Sequence, residues 1–81
     1  MKKTTDKQEK NIVGRNVRKQ RLAQRTTTTQ QDLAGRLAAR GVMLDRSAIA
    51  RIEGGERYVL DYEALAIARS LKVPVEVLFR P

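Results

Sequence analysis

The sequence contains no cysteine and no histidine. Without cysteine, neither a disulfide nor a thiolate metal site can stabilise the fold. Without histidine, the chain lacks the commonest general base and the commonest metal ligand. No nucleophile–base pair and no metal cluster can be assembled from the spacing of the remaining side chains. We therefore expect a protein that is not an enzyme and that binds neither a metal nor a cofactor.

Aromatic residues and long apolar runs are also scarce. The three aromatic residues are Tyr58, Tyr62 and Phe79, too few for a platform that stacks unpaired RNA bases. No apolar run approaches the roughly 20 residues of a membrane-spanning helix. The first residues, "MKKTTDKQEKN", lack the apolar core of a signal peptide. The sequence predicts a cytoplasmic protein without a membrane partner, and its 81 residues suit one domain.

Acidic residues are few in the first third of the chain. Residues 1–25 carry nine basic and two acidic side chains, whereas residues 26–81 carry eight and seven, within a net charge of +8. This asymmetry favours a polyanionic partner, of which nucleic acid is the commonest. A solvated tail followed by a charged helix is the alternative. Because residues 1–10 are polar and aperiodic, they are predicted to form a basic disordered arm before a folded domain at 11–81.

Two helices are predicted in the first half of the domain. The first covers residues 11–24 and ends where "RTTTT" begins, because β-branched hydroxyl residues favour caps over helix interiors. Its apolar stripe comprises Ile12, Val13, Val17 and Leu22. The second covers residues 30–40, with Thr28 or Thr29 as its cap and Gly41 in the left-handed position that ends it. Its buried residues are predicted to be Leu33, Ala34, Leu37 and Ala38.

Three further helices are predicted in the second half, and no strand. Asp45 is a natural N-cap for a helix over residues 46–53. Gly54 and Gly55 are predicted to end this helix. Asp61 is predicted to cap the fourth helix, whose apolar residues follow helical spacing. Pro74 is placed at the first position of a short fifth helix that reaches residue 79.

The third helix has two chemically different sides. Ile49 and Ile52 lie on one side, while Arg46, Ser47 and Arg51 lie mostly on the other. A major groove about 12 Å wide admits one α-helix, whose arginines can donate two hydrogen bonds to guanine and whose serine can bond several bases. The alternative to base contact is that Arg46 and Arg51 are solvated surface residues and that Ser47 only assists the N-cap.

Four stretches resemble a known family in their order and spacing. They are "NVRKQR" (16–21), "TQQDLAGRLA" (29–38), "RSAIARIEGGER" (46–57) and "LDYEALAIARSLKVPVEVLF" (60–79). The chain resembles the Cro/cI-type helix-turn-helix proteins, the phage-repressor-like group also called the xenobiotic response element family. The resemblance implies an all-α, compact five-helix DNA-binding domain with the helix-turn-helix at helices 2 and 3. It also implies a sequence-specific, double-stranded DNA-binding transcriptional regulator, most simply a repressor.

The resemblance also implies roles for individual residues. The positions that contact base edges are Arg46, Ser47 and Arg51. The positions that contact DNA phosphate are Gln30, with Gln31 beside it, Arg57 and Tyr58. Arg21 and Glu53 match a structural ion pair between the first and third helices. As alternatives, Arg57 pairs only with Glu53 or Glu56, and Tyr58 packs over the fourth helix. Longer connections at "QRTTTT" and "AARGVML" depart from the family pattern and predict a longer second helix and connector.

Site selection implies more than one copy of the chain. Because one short helix contacts only a few base pairs, a homodimer on half-sites roughly 34 Å apart is expected. The stretch "VPVEVLF" is either the dimer seam or a lid on the core of one chain. An antitoxin-type or other protein-interaction module that also binds its own promoter, with a toxin or an antirepressor as partner, is the alternative function.

Overall fold

Five α-helices and no strand form residues 9–81 of the computed structural model, the part of the chain that the structure describes. The helices are α1 (Gly14–Leu22), α2 (Gln30–Ala39), α3 (Arg46–Glu53), α4 (Asp61–Leu71) and α5 (Val75–Leu78). The predicted all-α, five-helix fold is confirmed. The predicted disordered arm at residues 1–10 lies outside the described residues, apart from its last two.

One apolar core joins the five helices. α2 packs against α3 and α4, and α1 contacts α3, α4 and α5. The largest fully buried side chains are Val13, Val17, Leu33, Leu37, Ile49, Ile52, Ile67, Leu71 and Leu78. Each buried aliphatic side chain contributes about 1.5–3 kcal/mol. An eight-residue helix such as α3 is unstable alone, so its position depends on this core.

The apolar stripe predicted for α1 is only half correct. Val13 and Val17 are buried, but Ile12 and Leu22 are 72% and 59% exposed. The position one helical turn after Val17 belongs to Arg21, which is buried, and not to Leu22. α1 is also shorter than predicted at both ends, since it begins at residue 14 and ends at residue 22.

Asn11 precedes α1 and links its start to the end of α3. Its side-chain oxygen accepts the backbone N–H of Gly14 at 2.7 Å. Its side-chain nitrogen donates to the carbonyl oxygens of Ile52, at 3.1 Å, and Arg57, at 2.8 Å. One carboxamide therefore satisfies a free N–H at the helix start and fixes α1 against α3.

α2 begins with a reciprocal pair of hydrogen bonds. The Thr29 hydroxyl accepts the N–H of Asp32 at 3.0 Å, and the Asp32 carboxylate accepts the N–H of Thr29 at 2.9 Å. The bonds from the backbone and then the side chain of Thr29 lower the pKa of Asp32. The helix ends at Ala39, and Gly41 has the predicted left-handed backbone with φ +82°. Ala38 was predicted to be buried and is exposed.

The connection from α2 to α3 is six residues long, 40–45. A helix-turn-helix has a turn of about three or four residues. The extra length is held by apolar contacts, because Leu44 is buried and Val42 packs against the core, while Met43 is exposed. The connection is therefore ordered by the same core that holds the two helices.

The predicted N-cap of α4, Asp61, is wrong: the cap lies one residue earlier and its side chain is not an acceptor. Leu60 occupies the N-cap position and Asp61 is the first helical residue. The carboxylate of Glu63 accepts the N–H of Leu60 at 3.0 Å, so a side chain inside the helix reaches back to satisfy the start. In α5, Pro74 is likewise the N-cap and Val75 the first residue of the helix.

The stretch predicted as a dimer seam or a lid contributes to the core of the single chain. Leu78 is buried, and Val73 and Val75 pack against the core. The Asn16 side chain donates to the carbonyl oxygens of Leu78 and Arg80, at 3.0 and 2.7 Å, which ties this end to α1. The stretch therefore acts as a lid, and a seam within it stays a prediction.

Candidate nucleic-acid interface

A carboxylate cap fixes the start of α3. The Asp45 side chain accepts the N–H of Ala48 at 2.8 Å, and its own backbone is extended. A cap of this kind contributes about 1 kcal/mol. Because the cap sets where the helix begins, Arg46 and Ser47 are the first two residues of its first turn.

The two sides of α3 separate as the spacing predicts. Ala48, Ile49 and Ile52 are buried, whereas all three residues predicted to contact base edges are exposed, namely Arg46, Ser47 and Arg51. Within residues 9–81, neither arginine of this set forms a salt bridge. Among the described residues, no carboxylate therefore occupies the hydrogen-bond donors of either guanidinium group on the solvent side of the helix.

An ion pair joins α1 to the last residue of α3. The Nε of Arg21 is 2.8 Å from one carboxylate oxygen of Glu53, and its Nη2 is 3.0 Å from the other. Arg21 also donates to the carbonyl oxygen of Thr28 at 3.0 Å. The hydrogen bond to Glu53 raises the pKa of Arg21, and burial opposes it. Because the contact is bidentate, it constrains the orientation of α3 as well as its distance from α1.

The two glutamines at the start of α2 differ in their surroundings. The side-chain nitrogen of Gln30 donates to Glu53 at 3.1 Å, so Gln30 extends the ion-pair network. Gln31 is exposed and lines a shallow groove of about 530 Å³ together with Arg51 and Arg57. Small residues line the same groove, including Ala34, Gly35, Ala38 and Ala48. The structure thus brings Gln31, Arg51 and Arg57 together between α2 and α3.

The loop after α3 carries the other two predicted phosphate contacts. Arg57 pairs with Glu63, Nη1 to Oε1 at 3.0 Å, and not with Glu53 or Glu56. Tyr58 is 69% exposed, and the Nζ of Lys10 lies 5.7 Å from its ring centroid, within cation–π range. Packing of Tyr58 over the fourth helix stays a prediction.

Glu63 should make the free energy of unfolding depend on pH in the acidic range. Burial alone would raise its pKa, but hydrogen bonds from Arg57 and from the N–H of Leu60 outweigh burial, so the pKa lies below the usual 4.5. Protonation therefore favours the unfolded chain. The contribution of Glu63 is fully present above the unfolded pKa and is lost as pH falls through the lowered folded pKa.

Urea unfolding from about pH 6 to about pH 3 measures this dependence. Glu63→Gln should be less stable than the parent protein at the upper end, and the difference should shrink as the solution becomes acidic. A difference that stays constant over the range would contradict the assignment.

Two residues that position α3 were not singled out from the sequence. Asn11 binds the carbonyl oxygen of Ile52, and Gly14 is buried against the same carbonyl, where a Cβ atom would overlap the oxygen. The available signal was an asparagine three residues before a glycine at the start of a helix, a spacing suited to capping.

Comparison with protein-family models, curated proteins and solved structures finds no match to this chain. Among residues 9–81, no group of three carboxylate side chains is placed to hold a metal ion. No helix in that range is long and apolar enough to cross a bilayer. Function is therefore inferred from the geometry of α2, α3 and the loop that follows them.

Proposed function

We propose that the protein is a cytoplasmic, sequence-specific double-stranded DNA-binding regulator of transcription, most simply a repressor, that inserts α3 into the major groove. The observation that carries this proposal is the exposed side of α3. Arg46, Ser47 and Arg51 lie there together, opposite a buried apolar side, and neither arginine is ion-paired within residues 9–81.

The absence of ion pairs on these arginines within the described residues favours a role in base contact. A guanidinium group bound to a carboxylate must give up that partner before it can bind guanine, whereas a hydrated group exchanges only water. Each bidentate arginine–guanine contact discriminates by about 1–3 kcal/mol against another base.

The groove beside α3 supplies candidates for phosphate contact. Gln31 and Arg57 line it next to Arg51, and Tyr58 is exposed in the adjoining loop. Arg57 uses its terminal nitrogens toward Glu63 and the carbonyl of Tyr58, but a guanidinium has five donors and can accommodate a phosphate oxygen as well. These residues would position α3, while the arginines of α3 distinguish sequences.

A dimer follows from the size of α3. Eight residues contact about three or four base pairs, too few to select one site in a genome. Two copies on half-sites roughly 34 Å apart double that information. The expected operator is therefore an inverted repeat.

Selection of bound fragments from a randomised duplex library tests the proposal. The parent protein should enrich an inverted repeat, and Arg51→Ala should lose one base preference in each half-site, with affinity reduced about tenfold or more. Arg69→Ala is the matched control, because Arg69 is also an exposed helical arginine but lies on α4 outside the groove. It should keep the motif. Failure to enrich any motif, or an unchanged motif for Arg51→Ala, would refute the proposal.

The second candidate is a protein-interaction module of the antitoxin type, with a toxin or an antirepressor as partner. It is favoured by a run of exposed apolar side chains along the α3–α4 loop and the first turns of α4, namely Tyr58, Leu60, Tyr62 and Leu65. A folded protein that enriches no DNA motif in the selection would favour this candidate over the first.

A further inference from the structure

A second concave surface lies away from the groove beside α3. A cleft of about 600 Å³ forms where the α1–α2 connection, the second half of α2 and the end of α4 meet. It shares no residue with the groove. Five of its nine lining residues are basic and none is acidic; the basic ones are Arg25, Arg36, Arg40, Arg69 and Lys72. We call this surface the basic cleft.

Part of this charge has a structural use. Arg36 donates to the carbonyl oxygen of Ser70 at 3.1 Å, and Arg40 donates to that of Arg69 at 3.4 Å. Both bonds satisfy carbonyl groups in the last turn of α4. The carboxyl end of a helix carries a partial charge of about −0.5. Asp32, one turn before Arg36, interacts with its charge but does not line the cleft.

The remaining charge has no ion-pair partner within the described residues. The side chains of Arg25, Arg69 and Lys72 are exposed, and none of them forms a salt bridge within residues 9–81. One half-unit of negative charge and one neighbouring carboxylate do not balance five full positive charges. Like charges held around one concavity repel one another, so an anion in the cleft would relieve that repulsion.

Lys72 stands where a glycine would be more stable. It follows the last residue of α4 with a left-handed backbone, φ +61° and ψ +42°. The other residues with positive φ in the described part of the chain, Gly41 and Gly55, are both glycines. A side chain is less stable than glycine in this conformation, and glycine is the usual occupant at a helix end. Backbone stability therefore does not account for the lysine, whose charge lies both at the carboxyl end of α4 and in the lining of the cleft.

We propose that the basic cleft binds a small anion that carries two or more linked phosphates, such as inorganic polyphosphate or the phosphate end of a nucleotide. Its volume is within the range of small-molecule sites, about 300–1,000 Å³. Arginine matches phosphate oxygens in a bidentate manner, and lysine adds a point charge. No aromatic residue lines the cleft, so the phosphates and not a base are the groups recognised. This site goes beyond the proposed function and is independent of α3.

Calorimetric titration of the full chain with inorganic triphosphate, at physiological ionic strength, tests this site. The expected result is saturable binding of one triphosphate per chain. Lys72→Gly and Arg69→Ala should each weaken it about tenfold or more, which corresponds to the loss of one charge-assisted contact. Arg51→Ala removes the same charge from α3 and should bind as the parent protein does.

Lys72→Gly separates binding from folding. Because glycine relaxes the left-handed position, the unfolding midpoint of this variant should equal or exceed that of the parent protein. Lost binding in a protein that is at least as stable cannot be a consequence of unfolding.

A parallel titration with adenosine triphosphate distinguishes an inorganic polyphosphate from a nucleotide as the ligand. Equal affinity indicates recognition of phosphates alone, and tighter binding indicates a nucleotide.

Two results would overturn the inference. One is the absence of saturable binding at millimolar triphosphate. The other is an equal, modest weakening in all three variants, which would mean attraction to net charge alone. Neither result involves DNA, so the basic cleft and the proposed role of α3 succeed or fail separately.

Discussion

Replacing Gly14 by alanine is expected to lower the free energy of unfolding by about 3 kcal/mol or more. The new Cβ atom would overlap the carbonyl oxygen of Ile52, a backbone atom and not the end of a flexible side chain. That oxygen is held by hydrogen bonds from the Asn11 side chain and from the N–H of Gly55. Either α1 or the last turn of α3 must therefore shift, and both carry core residues. A domain stabilised by about 5–15 kcal/mol loses a large part of its margin.

Gly35→Ala is the matched control for this substitution. Gly35 is exposed within α2, and a Cβ atom there would meet nothing within 4 Å. Alanine in a helix interior is favoured over glycine by about 0.5–1 kcal/mol, so this variant should be more stable than the parent protein. Urea unfolding followed by circular dichroism compares the two. Helix propensity favours alanine at both positions. If the free energy of unfolding falls in Gly14→Ala and rises in Gly35→Ala, the loss is due to the contact with Ile52. An equal change in the two variants would disprove that contact.

Glu53→Gln is expected to cost about 3–5 kcal/mol. The Glu53 side chain is only 4% exposed, and its carboxylate accepts hydrogen bonds from Arg21 and Gln30. With the carboxylate gone, the guanidinium of Arg21 remains buried with neutral acceptors alone, namely the amide oxygen that replaces the carboxylate and the Thr28 carbonyl. A buried charge without its partner loses the attraction that offset its desolvation. The measurement is again the free energy of unfolding.

The control for Glu53→Gln is the same change three residues later. Glu56 is exposed and forms no salt bridge within residues 9–81, so Glu56→Gln should alter stability by less than about 0.5 kcal/mol. Combining Glu53→Gln with Arg21→Met should cost less than the sum of the single changes by about 1 kcal/mol or more. Strict additivity would show that the pair contributes nothing as a pair.

The sequence by itself determined the number of helices, the start of α2, both ends of α3 and the two sides of α3. These features depend on residues within about four positions of one another. Asp45 caps α3 through a residue three positions away, and Gly41 supplies the left-handed turn after α2. The alternation of Ile49 and Ile52 with Arg51 is enough to separate the buried side of a helix from its exposed side.

Only the tertiary structure decided which side chains meet between helices. Arg57 pairs with Glu63, although Glu53 and Glu56 are nearer in sequence, because the Glu63 carboxylate turns back from the first turn of α4. The buried position on α1 went to Arg21 and not to Leu22, because a carboxylate 32 residues away is there to neutralise it.

The basic cleft and the contact at Gly14 have the same origin. The cleft combines arginines of α2 with residues at the end of α4, and Gly14 meets a carbonyl 38 positions later. Local spacing predicts which face of one helix is apolar, but not which atoms of another helix will lie against it. That choice depends on how the whole core packs, because close packing fixes the distance and the tilt between helices at the same time.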